Sequence, residues 1–221
     1  MRALEKMDPK VLLLTGADVG GKSSIEKAIR EYLAARGWKP YFTEETATLL
    51  MREGMQIAEA ISAMRWEEVW RLQHLVTKHQ VTHQDILVEA ARASSYSQTV
   101  VITDRGVKDN EAYLPPGLEG KVQFAEATRN TGTDPLDALE RYDGGLDLVT
   151  TAIGERDIYL KALDNNPHRF KRTPEQAAAL EARTQEAAAS FDAQADGVRL
   201  LADRRGWTAE RLHVPVARGA R

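Results

Sequence analysis

The sequence contains no cysteine among its 221 residues. Disulfide bonds, thiolate nucleophiles and cysteine-based zinc sites are therefore excluded. Histidine is also scarce, although His79 and His83 have the i, i+4 spacing with which a helix can hold a metal ion. Neither an HExxH pattern nor a third ligand at a recognised spacing accompanies them. We therefore interpret this pair, together with His74, as solvated residues on a helix.

Long apolar runs and an excess of one charge are missing too. No run is long enough to cross a bilayer, and the first ten residues are too polar for the hydrophobic part of a secretory signal. The net charge of −3 lacks the basic character typical of proteins that coat nucleic acid, although a local basic groove is left open. We expect a soluble cytoplasmic protein with no membrane partner.

Short apolar runs alternate with helical patterns along the chain. This alternation predicts an α/β fold with a parallel five-stranded sheet flanked by helices. The length suits a single domain over residues 1–221, with a helical lid at about residues 157–185. The expected strands are Lys10–Thr15, Lys39–Thr43, Thr99–Thr103, Leu146–Thr151 and Gly197–Leu201, and the main expected helices are Ser23–Arg36, Thr46–Glu53, Ile57–Arg92 and Pro174–Phe191.

A phosphate-binding loop follows the first expected strand. The stretch Gly16–Ser23 fills every fixed position of the pattern GxxxxGK[ST], between a buried strand and an amphipathic helix. Gly16, Gly20 and Gly21 let the backbone curl into an anion-binding nest at the positive end of that helix. Lys22 is expected to reach the β and γ phosphates, and Ser23 to offer its hydroxyl to Mg²⁺. This motif predicts a nucleoside triphosphate ligand, ATP with Mg²⁺.

Acidic residues follow the second and third expected strands. Asp104 ends the third strand, where an open parallel sheet places ligand contacts, so it can hold Mg²⁺ or accept a proton. Arg105 follows, with a fork suited to a phosphate or an acceptor oxygen. Glu45, next to Glu44, can deprotonate an acceptor hydroxyl. The alternatives are a turn aspartate and a solvated acidic pair that opens a helix, and whether Asp104 or Glu45 is the base stays open.

Two further groups of side chains can complete such a site. Basic residues gather near the expected lid, where they can neutralise a transferring phosphoryl group, although a solvated patch is the alternative reading. On the long helix, Trp66 and Trp70 are interpreted as core anchors rather than stacking platforms. Gln73 is kept as a candidate contact to the acceptor in preference to Gln80, because a glutamine can read the edge of a base. The basic residues are His168, Arg169, Lys171, Arg172 and Arg183.

These elements, in this order, resemble the P-loop kinase class, which includes thymidylate, deoxynucleoside and nicotinamide riboside kinases. The chain is also similar to an AAA-type ATP-binding domain family allied to nicotinamide-riboside-kinase-like proteins. The resemblance runs from Lys10 to about Leu201 and is carried by the segments Leu14–Ser24, Thr43–Ala47, Asp104–Tyr113, Arg141–Val149 and Leu180–Thr184. It implies a P-loop NTPase fold with a lid.

The resemblance also implies roles for individual residues. Asp104 and Arg105 would flank the acceptor, while Asp109 and Tyr113 would line its pocket. Arg183 would reach from the lid towards the phosphates, as would Arg172. Asp18, Val19 and Ser24 would belong to the nucleotide site with the rest of the loop.

Two segments depart from the pattern of the family. The loop has Ala17-Asp18-Val19 where relatives more often have a proline and small residues, so Asp18 brings a negative charge close to the phosphates. The turn Asp203–Trp207 replaces an expected asparagine-rich turn beside the base, where Arg204 or Arg205 can stack on the nucleotide. The preference for ATP over GTP is therefore left open.

The leading hypothesis is an ATP-dependent phosphotransferase that acts on a hydroxyl of a nucleoside, a nucleotide or a modified base in DNA. One alternative is a nucleotide-dependent switch, an ATPase or GTPase without a small-molecule acceptor. Another is a toxin-like or antibiotic-modifying kinase. Assembly as a homodimer is left open.

Overall fold

The structure is a computed structural model. It describes residues 6–16, 21–115, 117–133, 138, 140–148, 150, 152–153, 155–164 and 173–183. The expected fifth strand at 197–201 lies outside the described residues, as does the part of the expected lid at 165–172. Asp18, Val19, Gly20, Arg172 and Arg204 also lie outside them, and so does the turn at 203–207.

Within the described residues, four parallel strands form one sheet in the order β2-β3-β1-β4. This arrangement confirms the expectation of an α/β fold with a parallel sheet. The strands are β1 (Lys10–Thr15), β2 (Lys39–Phe42), β3 (Thr99–Asp104) and β4 (Gly144–Asp147).

Helices occupy most of the remaining described residues. They are α1 (Lys22–Ala34), α2 (Thr46–Arg52), α3 (Ile57–Ser62), α4 (Trp66–Ala93), a 3-10 helix (Val107–Tyr113), α5 (Leu118–Arg129) and α6 (Arg156–Asp164). Residues 174–183 are helical as well. None of the helices in the described part of the chain is long and apolar enough to cross a membrane.

The sheet is covered on both faces, which explains why its two central strands, β1 and β3, are nearly continuous apolar runs. On one face, Leu12 and Leu14 of β1 belong to a cluster with Ile29 of α1. On the other face, Val11 and Leu13 pack with Val88 of α4. Successive residues of β1 therefore point alternately into two separate cores.

The strand order creates a crevice at the carboxyl ends of β1 and β3. The chain leaves β1 towards β2 on one side and leaves β3 towards β4 on the other, although β1 and β3 are neighbours. With right-handed connections, the two crossovers cover opposite faces of the sheet. Ligands bind at such a switch point in open α/β sheets. The segments after Thr15 and Asp104 both border this crevice.

The expected long helix Ile57–Arg92 is wrong as a single element. It is divided into α3 and α4 at residues 63–65. Met64 has a φ of 52°, and the N–H of Arg65 bonds to the carbonyl of Ala60, so a left-handed residue ends α3. Glycine usually occupies such a left-handed position at the end of a helix. Because methionine stands here instead, the sequence did not indicate that the helix ends.

Other helix and strand boundaries differ from those expected from the sequence, because the pattern of side chains does not show how the backbone pairs. β4 begins at Gly144 rather than Leu146, because two glycines pair with Leu12 and Leu13 of β1. α5 begins at Leu118, within a segment whose proline and glycine content is typical of a loop. The 3-10 helix after β3 was not foreseen from the sequence.

The backbone at Gly16, after β1, lies very close to the backbone at Leu148, after β4. A Cβ at Gly16 would lie 2.1 Å from the carbonyl oxygen of Leu148, and its φ is +120°. We expect Gly16→Ala to lower the free energy of unfolding by about 3 kcal/mol or more, because it adds a backbone clash to the strain. Chemical denaturation measures this change.

Gly37→Ala is the matched control. Gly37 has a φ of +79° but no described atom within 4 Å of an added Cβ, so it should cost only about 1 kcal/mol. Equal losses for the two variants would contradict the close approach at Gly16.

Candidate active site

The N-terminus of α1 opens onto the loop that follows β1. Gly21 precedes the helix with a φ of 84°, and the first turn carries no acidic residue. The helix therefore presents its positive end and its first N–H groups without a competing carboxylate. Ser23 and Ser24 lie in this turn, but their side chains lie outside the described part. The arrangement suits a phosphate group.

Lys22 lies against the start of the loop. Its side chain is buried, and Nζ donates a 3.0 Å hydrogen bond to the carbonyl oxygen of Gly16. The same oxygen accepts a 2.8 Å bond from NH1 of Arg105. Two cationic side chains thus converge on one carbonyl at the mouth of the crevice.

Arg105 bridges three segments of the chain. Its Nε donates to Oε1 of Glu45 at 2.5 Å, while NH1 holds the Gly16 carbonyl. The guanidinium also lies 5.6 Å from the ring centroid of Tyr113. The side chain is only 7% exposed. Nε and NH1 of the fork are thus bonded to protein groups, and a contact of Arg105 with a phosphate or an acceptor oxygen stays a prediction.

Glu45 is held as a carboxylate. It lies in the short connection between β2 and α2, directly before α2, and its Oε2 accepts a 2.7 Å hydrogen bond from Thr48. Burial alone would raise the pKa of Glu45, but the charges of Arg105 and Lys22 and the hydrogen bonds from Arg105 and Thr48 lower the pKa to about 2. Glu45 therefore opens α2, as one interpretation of the sequence had it, but it does so in an ion pair with Arg105 rather than as a solvated residue. Its role as a base stays a prediction.

Asp104 has the opposite environment. It ends β3, and its N–H donates to Oγ1 of Thr43 at 3.0 Å. Its Oδ1 is buried and finds no hydrogen-bond partner among the described residues. Burial, with the nearby charge of Glu45, raises the pKa of Asp104 to about 6 against the opposing charges of Lys22 and Arg105. A desolvated carboxylate oxygen of this kind is suited to accept a proton or to bind a cation.

Asp109 and Tyr113 come to the same edge on the 3-10 helix. Oδ2 of Asp109 accepts hydrogen bonds from Oγ1 of Thr15 at 2.7 Å and from the N–H of Gly106 at 3.0 Å. Burial raises the pKa of Asp109 in spite of these bonds and of the Arg105 charge. Asp109 thus ties the end of β1 to the 3-10 helix, through contacts that were not expected of a pocket-lining residue.

The two glutamines of α4 have different surroundings. Gln73 is 3% exposed, and its Oε1 finds no partner among the described residues. Gln80 uses both ends of its amide: Nε2 donates to the carbonyl of Arg105 at 2.7 Å, and Oε1 accepts from Asn110 at 2.8 Å. Gln73 therefore keeps an unused acceptor, while Gln80 is fully bonded within the protein.

Arg183 lies on the helix at residues 174–183, next to the 3-10 helix. Its NH2 donates to the carbonyl of Leu114, and Leu180 of the same helix packs with Ala112 and Tyr113. The structure thus brings Arg183 to the far end of the 3-10 helix. This part of the expected lid packs on the 3-10 helix, and the reach of Arg183 towards the phosphates stays a prediction.

The histidine and tryptophan signals resolve differently. Trp70 packs against a buried cluster that includes Val81 and Phe124, which agrees with the reading of a core anchor.

The rings of His79 and His83 lie 5.7 Å apart, and both Nδ1 atoms are buried without a partner among the described residues. The expectation of a solvated pair is therefore wrong, because one edge of each ring faces the protein interior. Burial and the proximity of His79 lower the pKa of His83.

Asp147 was missed by sequence reasoning. It is the last residue of β4 and pairs with Thr15 of β1. Burial raises the pKa of Asp147, and the charge of Lys22 opposes this effect, so the two side chains share one electrostatic environment. The available signal was its position, since the carboxyl ends of adjacent parallel strands meet at one edge.

The described residues contain no group of three or more histidine, aspartate or glutamate side chains arranged to hold a metal ion. At the crevice, Asp104 has a buried carboxylate oxygen without a partner among the residues that the structure describes. Carboxylate oxygen is the ligand that Mg²⁺ prefers, and Mg²⁺ is commonly held by one or two protein groups with the rest from phosphates and water. Asp104 therefore fits a magnesium ligand.

No model of a protein family matches the sequence, and no curated protein matches it significantly.

The raised pKa of Asp104 predicts a stability cost at neutral pH. Because the folded-state pKa lies above the ordinary value of 3.8, the stability due to this group is present below about pH 4 and is lost as the pH rises through about 6. We expect Asp104→Asn to raise the free energy of unfolding of the ligand-free protein by about 2 kcal/mol at pH 7.5. The difference should vanish near pH 4. Denaturation at the two pH values measures it.

Asp8→Asn serves as the control, because the Asp8 side chain is 91% exposed and should leave the stability unchanged at both pH values. An Asp104→Asn variant that is less stable than the wild type at pH 7.5 would contradict the desolvated, unpaired state of Asp104.

Proposed function

We propose that this chain is a P-loop kinase, which transfers the γ-phosphoryl group of ATP to a hydroxyl of a small-molecule or nucleic-acid acceptor. One observation carries the proposal. The N-terminus of α1 and the buried Lys22 meet Asp104, Arg105 and Glu45 at the carboxyl ends of β1 and β3. Positive charge for phosphates and a carboxylate of raised pKa are thus gathered at one switch point of the sheet.

The phosphates would bind to α1 and the loop that precedes it. The open N-terminus of α1 and the ammonium of Lys22 would bind the phosphates. Asp104 and Ser23 would hold Mg²⁺, which supplies neutralisation of the phosphate charge. Gly16 allows the loop backbone to run against Leu148, where a side chain would clash.

The two carboxylates suit different tasks. A general base works best with a pKa near the working pH, and Asp104 at about 6 is closer to it than Glu45 at about 2. Glu45 would stay ionised and fix Arg105. Since Asp104 also fits Mg²⁺, the two roles compete for one carboxylate, and kinetics must separate them.

The acceptor side would be formed by α4, the 3-10 helix and the helix at residues 174–183. The unused Oε1 of Gln73 calls for a donor from a ligand, because a buried acceptor without a partner is unfavourable. An N–H of a nucleobase would supply one. Nucleosides, nucleotides and modified bases in DNA therefore remain the proposed acceptors. Tyr113 and Asp109, on the 3-10 helix, would lie next to the bound acceptor.

A nucleotide-dependent switch is the second candidate. It is favoured by the hydrogen bonds of Arg105 and Asp109 described above, which join protein groups to one another and need no acceptor. A switch would hydrolyse ATP or GTP slowly without any acceptor hydroxyl.

Lys22→Ala tests triphosphate binding. We expect the affinity for Mg·ATP to fall by about 100-fold or more, because a charge-assisted contact to phosphate is lost. Titration with a fluorescent ATP analogue measures it, with GTP as competitor. Lys27→Ala is the control, since Lys27 is on the same helix but 83% exposed, and should bind as the wild type does. If both nucleotides bound Lys22→Ala unchanged, the proposed loop would not be the nucleotide site.

Release of ADP tests the transfer reaction. The panel contains nucleosides, nucleotides, DNA with hydroxymethylated bases, and antibiotics, each with Mg·ATP. Turnover that requires one acceptor supports the kinase, and slow turnover regardless of acceptor supports the switch. With an active acceptor, Asp104→Asn should lower kcat by about 100-fold or more at nearly unchanged affinity for Mg·ATP. A parallel loss of affinity would assign Asp104 to metal binding rather than proton transfer.

A further inference from the structure

A row of buried polar residues runs along α4. Gln73, Thr77, Gln80 and Gln84 recur at i, i+4, i+7 and i+11, and each is at most 8% exposed. These spacings define one face of a helix, which is ordinarily apolar where it packs against a sheet. We call this row the polar seam of α4. Buried polar groups are retained at a cost unless they are hydrogen-bonded, so their partners indicate what the seam holds.

The partners of the seam lie on the segment that follows β3. Gln80 donates through Nε2 to the carbonyl of Arg105 at 2.7 Å and accepts through Oε1 from Asn110 at 2.8 Å. Asn110 also donates to Oγ1 of Thr77 at 3.1 Å, and Thr77 donates to the carbonyl of Gln73 at 2.9 Å. Gln80 is therefore oriented from both ends, and its N–H group is aimed at one backbone carbonyl.

That carbonyl belongs to a residue with unfavourable backbone geometry. Arg105 has a φ of 70°, in the left-handed region that non-glycine residues rarely adopt and that persists only where neighbours hold it. The N–H of Arg105 bonds to the carbonyl of Leu14 at 2.8 Å. The carbonyl of Arg105 accepts a second hydrogen bond, from Oγ1 of Thr103 at 3.1 Å, besides the one from Gln80. From this backbone the side chain reaches Glu45 and the Gly16 carbonyl.

We propose that Gln80 is a positioning residue, which holds the left-handed backbone of Arg105 so that the guanidinium stays between Glu45 and the carbonyl of Gly16. Its effect on catalysis rests on the proposed function, but the positioning itself does not. Without the amide of Gln80, the Arg105 carbonyl loses a buried donor and the peptide can turn to an ordinary conformation. The guanidinium then leaves Glu45 without its principal counter-charge and the phosphate loop without one of its anchors.

The Nε–H group of Arg105 reports on this contact in the ligand-free protein. In a ¹⁵N-labelled sample, a guanidinium N–H bonded to a buried carboxylate gives a resolved signal protected from solvent exchange, and Arg105→Lys assigns it by its disappearance. We expect Gln80→Met to speed exchange of this signal by about tenfold or more, because a hydrogen bond that holds the backbone is removed. The side-chain volume is nearly conserved.

Gln84→Met is the matched control. Gln84 lies one turn further along the same seam, but its Oε1 faces Nε of Arg141 at 3.5 Å rather than Arg105. Exchange of the Arg105 signal should be unchanged in this variant. Asn110→Ser, which frees the other end of Gln80, provides a second route if Gln80→Met does not fold, and should loosen the same signal. Protection that survives in both Gln80→Met and Asn110→Ser, or that is lost equally in Gln84→Met, would overturn the proposal.

A double-mutant cycle tests the catalytic consequence with Mg·ATP and an acceptor found active. If Gln80 acts through Arg105, Gln80→Met should add little to the loss of kcat already caused by Arg105→Lys. Additive losses would show that Gln80 does not act through Arg105. A wild-type protein without turnover would count against the proposed function, while the exchange measurement would still decide the positioning of Arg105.

Discussion

The guanidinium of Arg105 is the contact on which the site depends. It joins the segment after β2 through Glu45, the segment after β1 through the Gly16 carbonyl, and its own strand β3. Neighbouring strands of a parallel sheet do not fix the loops beyond their ends, because the ladder of backbone bonds stops there. A buried ion pair can fix them, provided that its hydrogen bonds offset the loss of hydration. Arg105 therefore helps to fix the crevice, together with Lys22 at the Gly16 carbonyl and Asp109 at Thr15.

The ion pair of Arg105 and Glu45 shifts the pKa values of the two acids in opposite directions. The Arg105 charge lowers the pKa of Glu45, whereas burial and the nearby charge of Glu45 raise the pKa of Asp104. Opposite pKa shifts in neighbouring carboxyl groups are the usual basis of separate acid–base roles in one site. In this chain the separation arises because Arg105 faces one carboxylate and leaves an oxygen of the other without a partner among the described residues. A change at Arg105 would therefore alter the chemistry of both acids at once.

Much of the fold could be predicted from local pattern. β1 and β3 are apolar runs with clear ends, and the residues after β2 and β3 pointed to Glu45, Asp104 and Arg105 as neighbours. The structure brings these three residues together, but their contacts could not be predicted, because they join residues far apart in sequence. Arg105 and Glu45 are 60 positions apart, and Thr15 and Asp109 are 94 apart. The end of α3 at Met64 was also unpredictable, since its left-handed residue is neither glycine nor asparagine.

The polar seam of α4 has a consequence for how the protein folds. An apolar helix face can slide or rotate on a sheet at small cost, whereas Thr77 and Gln80 are paired only in one register with Asn110 and Arg105. A shift by one turn would leave these buried groups without partners. α4 precedes β3 in the chain, so the register of the longest helix in the described part depends on Arg105 and Asn110, which follow it in the sequence.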